Sequence, residues 1–249
     1  MADRFKQIFE DKWRSYFGAA EWPVAYYYTD KPMPEDVQES HHITRCLIGN
    51  LNRVRQGYAY VYNLETPGCT GGKRYAGLSD TMRPDIEFFL SCGIPGNLEG
   101  ERYKKSPDLT KIYLEKHPPF KAPAANLVFK RWDMMRDDEI PFAAVFFATP
   151  DILSGLFTLA NYDWADSDAV IAPMGSGCAS IISYAFEESQ KPQPRCILGM
   201  FDVSARPFVP STTLTFTVPL KRLRQLVNNM DSSFLITTSW EKVAQRITP

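Results

Sequence analysis

Histidine is nearly missing from this chain, with three in 249 residues: His41, His42 and His117. A histidine-rich metal site is therefore excluded. Cysteine is also sparse. Cys46, Cys69, Cys92, Cys178 and Cys196 are odd in number and widely spaced, and no CxxC pair occurs. This argues against a disulfide framework, a zinc knuckle and a thioredoxin-like motif. No basic run stands out among 28 basic and 29 acidic residues, so the electrostatic footprint of a nucleic-acid binder is lacking. No apolar stretch approaches the roughly 20 residues of a membrane span; the longest, residues 140–148 and 169–174, have strand length. The opening MADRFKQIFEDKWRSYF has neither an apolar leader core nor a small-residue cleavage site, and a cytoplasmic location is the expectation. Complete GxxxxGK[ST], GxGxxG and GxSxG motifs are lacking as well.

What remains alternates between strand and helix patterns. Phe5, Ile8, Phe9, Trp13, Tyr16 and Phe17 fall at helical spacing, and Pro23 closes that helix. Val24–Tyr28, Tyr58–Tyr62, Asn126–Lys130, Ala143–Phe147, Val170–Pro173, Cys196–Asp202 and Leu214–Val218 read as strands. Helices are expected over 42–55, 84–92, 109–115, 150–159, 175–185, 219–230 and 239–247. Thr149-Pro150-Asp151 has the order of a helix cap, and His117-Pro118 stops the helix before it. The pattern predicts α/β or α+β: a mixed sheet flanked by helices, one compact unit over 1–249 with loosely similar halves, 1–120 and 121–249.

Two glycine-containing turns follow strands. The first, Pro67-Gly-Cys69-Thr-Gly71-Gly72-Lys73, offers backbone approach through its glycines, a cation in Lys73 and a thiol in Cys69. The second, Pro173-Met-Gly175-Ser-Gly177-Cys178, repeats the arrangement at a helix start. Each reads equally well as a packed strand-to-helix turn. Cys46, placed by the pattern near the apolar face of the 42–55 helix, gains interest only if it meets Cys69 and Cys178 in space; three thiolates can ligate an iron–sulfur cluster or a soft metal. Asp202 and Arg206 follow a strand, where α/β sheets bind ligands, and also fit a loop ion pair. Arg102, Lys104 and Lys105 suit either an anion-facing or a solvated loop. His41 and His42 offer acid–base chemistry or a plain surface pair. Cys92 and Cys196 read as structural.

Taken together, Pro23-Val24-Ala25, Cys46, Cys69-Thr70-Gly71-Gly72 with Gly77-Leu78, Gly177-Cys178, and Gly199-Met200-Phe201-Asp202 with Arg206 resemble the family called domain of unknown function 169, the uncharacterised ArCR proteins. The likeness runs from about residue 5 to 245, and residues 93–100 and 231–243 resemble an anaerobe-type subgroup. The resemblance implies a cytoplasmic protein without an assigned reaction, whose Cys46, Cys69 and Cys178 are motif positions. It favours a shared site for a small anionic ligand or redox cofactor, with an iron–sulfur cluster on the three cysteines as one form. A thiol-dependent enzyme using Cys69 or Cys178 and an interaction module with inert cysteines are the other readings. The expected partner is a small molecule, with neither nucleic acid nor membrane, and a homo-oligomer is compatible with the chain.

Overall fold

The computed structural model describes residues 4–32 and 44–247. Its elements, in order, are α1 (Phe5–Phe17), β1 (Val24–Thr29), α2 (Leu47–Arg55), β2 (Tyr60–Tyr62), α3 (Thr70–Tyr75), α4 (Ile86–Phe89), α5 (Pro107–Lys116), β3 (Asn126–Arg131), β4 (Ala143–Ala148), α6 (Pro150–Asn161), β5 (Val170–Ile171), a π-helical stretch Ala179–Ser183 running into α7 (Tyr184–Ser189), β6 (Cys196–Gly199), β7 (Leu214–Pro219), α8 (Leu220–Asn229) and α9 (Thr238–Ala244).

The strands form one mixed sheet of order β2-β3-β1-β4-β7-β6-β5. Every pairing is antiparallel except β5 with β6, whose helical connection makes a crossover unit. β4 (AAVFFA) is buried along its whole length at the middle of the sheet. Its alternate residues serve two cores, as the pleat requires. Ala144, Phe146 and Ala148 meet α1, α6, α8 and α9 on one face, while Ala143, Val145 and Phe147 meet α2 and the Ala179–Ser183 stretch on the other. Helices thus cover both faces of a mixed sheet, the class the alternation of patterns implies.

The apolar stripe on α1 is narrower than its spacing suggests. Phe5, Phe9, Trp13 and Phe17, four residues apart, are buried, and Trp13 and Phe17 stack at 4.2 Å, whereas Ile8 is 43% exposed. Each buried ring contributes roughly 1.5–3 kcal/mol. Thr149 occupies the N-cap position of α6, but its side chain makes no cap hydrogen bond. The crossover strand β5 is two residues long, so half of 170–173 is connection leading to the second glycine turn. Among the described residues no helix is long and apolar enough to cross a membrane.

Candidate functional site

Beyond the carboxyl ends of β5 and β6, a cavity of about 570 Å³ opens between the α2 start, the α3 turn, the 173–178 turn and the loop 79–105. Cys46, Cys69 and Cys178 all line it, so residues far apart in sequence share one hollow.

Cys46 enters it from a position other than the expected one. Its helix begins at Leu47, not near residue 42, and Cys46 is the extended residue capping it. The local cause is a polar clasp. Asn50 accepts the Thr44 N–H (3.1 Å) and returns a bond to the Thr44 carbonyl (2.8 Å), and Thr44 Oγ1 accepts the Cys46 N–H (2.8 Å), holding 44–46 out of helical geometry. His41 and His42 lie outside the described residues. Cys69 caps α3: its Sγ accepts the Gly72 N–H (3.2 Å), and its own N–H donates to the Arg45 carbonyl (3.1 Å), tying the two cysteine segments together. Cys69 is exposed, Cys46 half-buried and Cys178 buried.

Burial sets the chemistry of the inner thiols. Desolvation pushes Cys178 well above the ordinary thiol range, with Cys69, Cys46 and Asp202 adding to it. Burial also raises Cys46, against opposing bonds from the Gly49 and Ile48 amides. Both shifts favour the neutral thiol over the thiolate. His117 packs against Tyr113 in a tilted arrangement, ring centroids 4.8 Å apart, and does not line the cavity. Among the described residues no group of three or more His, Cys, Asp or Glu side chains is placed to hold a metal ion.

Gly71, Gly72, Gly175 and Gly177 line the cavity as the sequence suggests, and all but Gly71 are also tightly packed. Gly71, Gly72, Gly175 and Gly177 do not adopt positive φ. A Cβ on Gly72 would lie 2.7 Å from the Tyr62 hydroxyl, and one on Gly68 2.6 Å from it. At Gly175 it would meet the Tyr184 hydroxyl at 2.8 Å, and at Gly177 Ile48 at 3.1 Å. Only Gly71 has room, its nearest neighbour being Tyr75 at 3.8 Å. Tyr62 itself is 1% exposed, and its hydroxyl has no hydrogen-bond partner among the described residues.

The expected cations are also redirected. The Lys73 ammonium is buried away from the cavity, donating to the Asn63 and Thr66 carbonyls above the Tyr62 ring. Arg206 clamps its own loop through the carbonyls of Pro210, Ser211 and Thr213. Asp202 does reach the cavity, but as the anion already seated at the second turn: it accepts the Gly177 N–H (3.2 Å) together with the Ser204 N–H and hydroxyl. With Ser176 taking the Ala179 N–H, that turn has few amides left for a ligand.

Positive charge comes instead from Arg45, Arg74, Arg83 and Lys104, none in an ion pair among the described residues. Arg83 stacks on Phe89 (3.9 Å) and Lys104 on Tyr113 (4.2 Å). The sequence motifs did not single out Arg74 or Arg83, and loop 79–105, which carries Arg83 and Lys104, gets its place from remote contacts such as Tyr103 with Asp202 and Ser204. Lys104 lay in a loop already suited to an anion; Arg45 stood beside a motif cysteine. Cys196 is buried under the sheet as expected, but Cys92 is exposed.

The uncharacterised ArCR profile, domain of unknown function 169, matches residues 14–229. The chain belongs to this family. The matched span holds all seven strands, the three cavity cysteines and both turns, and leaves α9 outside. No match was found among curated proteins or among solved structures. The ArCR description carries no activity, so the chemistry of this ArCR site rests on its own residues.

Proposed function

We propose that the cavity binds a small organic anion with an aromatic or otherwise apolar body. The observation that carries this reading is the charge of the lining. Arg45, Arg74, Arg83 and Lys104 face Glu101 and Asp202, four cations against two carboxylates, a formal +2 in a chain whose net charge is −1. Asp202 is already engaged by protein donors, which leaves the cations in excess. Phe89, Tyr75 and Tyr113, with Ile48, Met82 and Leu114, supply apolar and π surface beside them. The volume lies within the range of small-ligand sites, and a concave, mostly apolar wall with a few convergent charges is their usual chemistry.

Thermal unfolding against aromatic carboxylates and phosphate esters tests it. A ligand present at 100 times its dissociation constant stabilises the fold by about 2.7 kcal/mol, roughly 5–10 °C for a chain this size. The shift should shrink with added salt and be lost in Arg83→Gln and Lys104→Gln, while Arg206→Gln still responds. If anions stabilise no better than neutral analogues, or if both variants bind normally, the reading is wrong.

A further inference from the structure

We infer that Cys46 and Cys69 form a redox-active dithiol that exchanges with a small disulfide bearing anionic groups in the cavity. The identity of the substrate as an anion rests on the binding reading above; the dithiol does not. Three observations support the pair. Both sulfurs line the same hollow. The Cys69 N–H bonds to the carbonyl of Arg45, the residue preceding Cys46, at 3.1 Å. Peptide geometry then keeps the two α-carbons within about 7 Å, close to the span a disulfide bridges. Finally, the roles differ by environment. Cys69 is exposed and open to attack on an incoming disulfide, with its sulfur held by the Gly72 N–H, whereas Cys46 is half-buried. Cys178 is deeper still and lacks such a backbone tie to Cys69, so it is the poorer resolving partner.

The exchange balances without further reactants. Cys69 releases its proton and its thiolate attacks one sulfur of the ligand disulfide; that S–S bond breaks and one ligand thiolate leaves. Cys46 then releases its proton and attacks the Cys69 sulfur, closing Cys46–Cys69 and expelling the second ligand thiolate. The two protons balance the two thiolates. The ligand gains two electrons, and the cysteine pair loses two.

Reduced full-length protein is incubated with oxidised glutathione as the anionic probe and with 2-hydroxyethyl disulfide as the neutral one, then mapped by peptide mass. The expected product is a Cys46–Cys69 cross-link. Cys46→Ser should stall as a mixed disulfide on Cys69, Cys69→Ser should not react, and Cys92→Ser, outside the cavity, should cross-link normally. In the wild type, iodoacetamide should label Cys69 before exchange and neither cysteine afterwards, a readout that needs no variant to fold. Arg83→Gln should slow the anionic probe roughly fivefold, as for a partly screened charge contact, and leave the neutral probe unchanged. Absence of a cross-link, or one involving Cys178 in its place, overturns the dithiol even if anions still stabilise the protein. A cross-link formed equally fast by both probes upholds the dithiol and overturns the anionic substrate.

Discussion

Gly72→Ala offers a quantitative test of how the first turn is built. The new methyl would stand 2.7 Å from the Tyr62 hydroxyl, too close for any real pair, with Cys69 Sγ at 3.3 Å. Overpacking of this kind costs about 1–3 kcal/mol. Gly72 lies inside α3 without positive φ, so alanine also returns up to about 1 kcal/mol of helix propensity. The single variant should therefore lose roughly 1 kcal/mol, about 2–4 °C in Tm. In a Tyr62→Phe background the obstructing oxygen is gone, and the nearest ring atom lies at 3.6 Å, an ordinary contact. There, Gly72→Ala should stabilise by about 0.5–1 kcal/mol, giving a coupling of about 2 kcal/mol between the two sites. Gly68→Ala is the control. Its methyl also meets a ring carbon at 3.0 Å, so Tyr62→Phe should rescue it only in part. Denaturant unfolding of the four proteins in the cycle gives the coupling. A value under about 0.5 kcal/mol, the level expected of independent sites, would refute the claim that Tyr62 imposes glycine on this turn.

Two further outcomes follow from the charged residues. Lys73→Met should destabilise the fold by about 2–3 kcal/mol, because it strands the Asn63 and Thr66 carbonyls, yet leave anion-induced stabilisation intact; loss of the ligand response would put Lys73 back in the site. Glu188 is 2% exposed. Burial alone would raise its carboxyl, but hydrogen bonds from Arg195 and Lys191 outweigh it and hold the group below its ordinary 4.5. The folded state therefore favours the carboxylate: that stability is present above about pH 4.5 and is lost as pH falls through the lower folded value. Wild-type stability should drop more steeply below pH 4.5 than that of Glu188→Gln, measured by denaturant midpoints, and parallel pH profiles would remove Glu188 as the cause.

Much of the scaffold was legible because it depends on local periodicity. The four-residue spacing of Phe5, Phe9, Trp13 and Phe17 and the run Ala143–Ala148 each report the face or depth at which they pack. The start of α2 was misplaced because its boundary is set by side-chain bonds among Thr44, Cys46 and Asn50, which compete with an apolar pattern that would carry the helix further back. The glycines of the two turns and a packing reading of them are legible, but the partners are not: the obstruction comes from Tyr62, Tyr184 and Ile48, which no spacing rule identifies.

Three histidines by themselves leave no histidine-rich metal site, and the pattern of strands and helices determined a mixed sheet flanked by helices. Both follow from residue type and short-range periodicity. Only the tertiary structure decided that Cys46, Cys69 and Cys178 share a hollow, that Lys73 and Arg206 turn away from it, and that Arg45, Arg74, Arg83 and Lys104 charge it. The physical reason is that burial and long-range hydrogen bonds, such as Cys69 to Arg45 and Tyr103 to Asp202, choose which side of a turn a side chain occupies, and local sequence does not encode those partners.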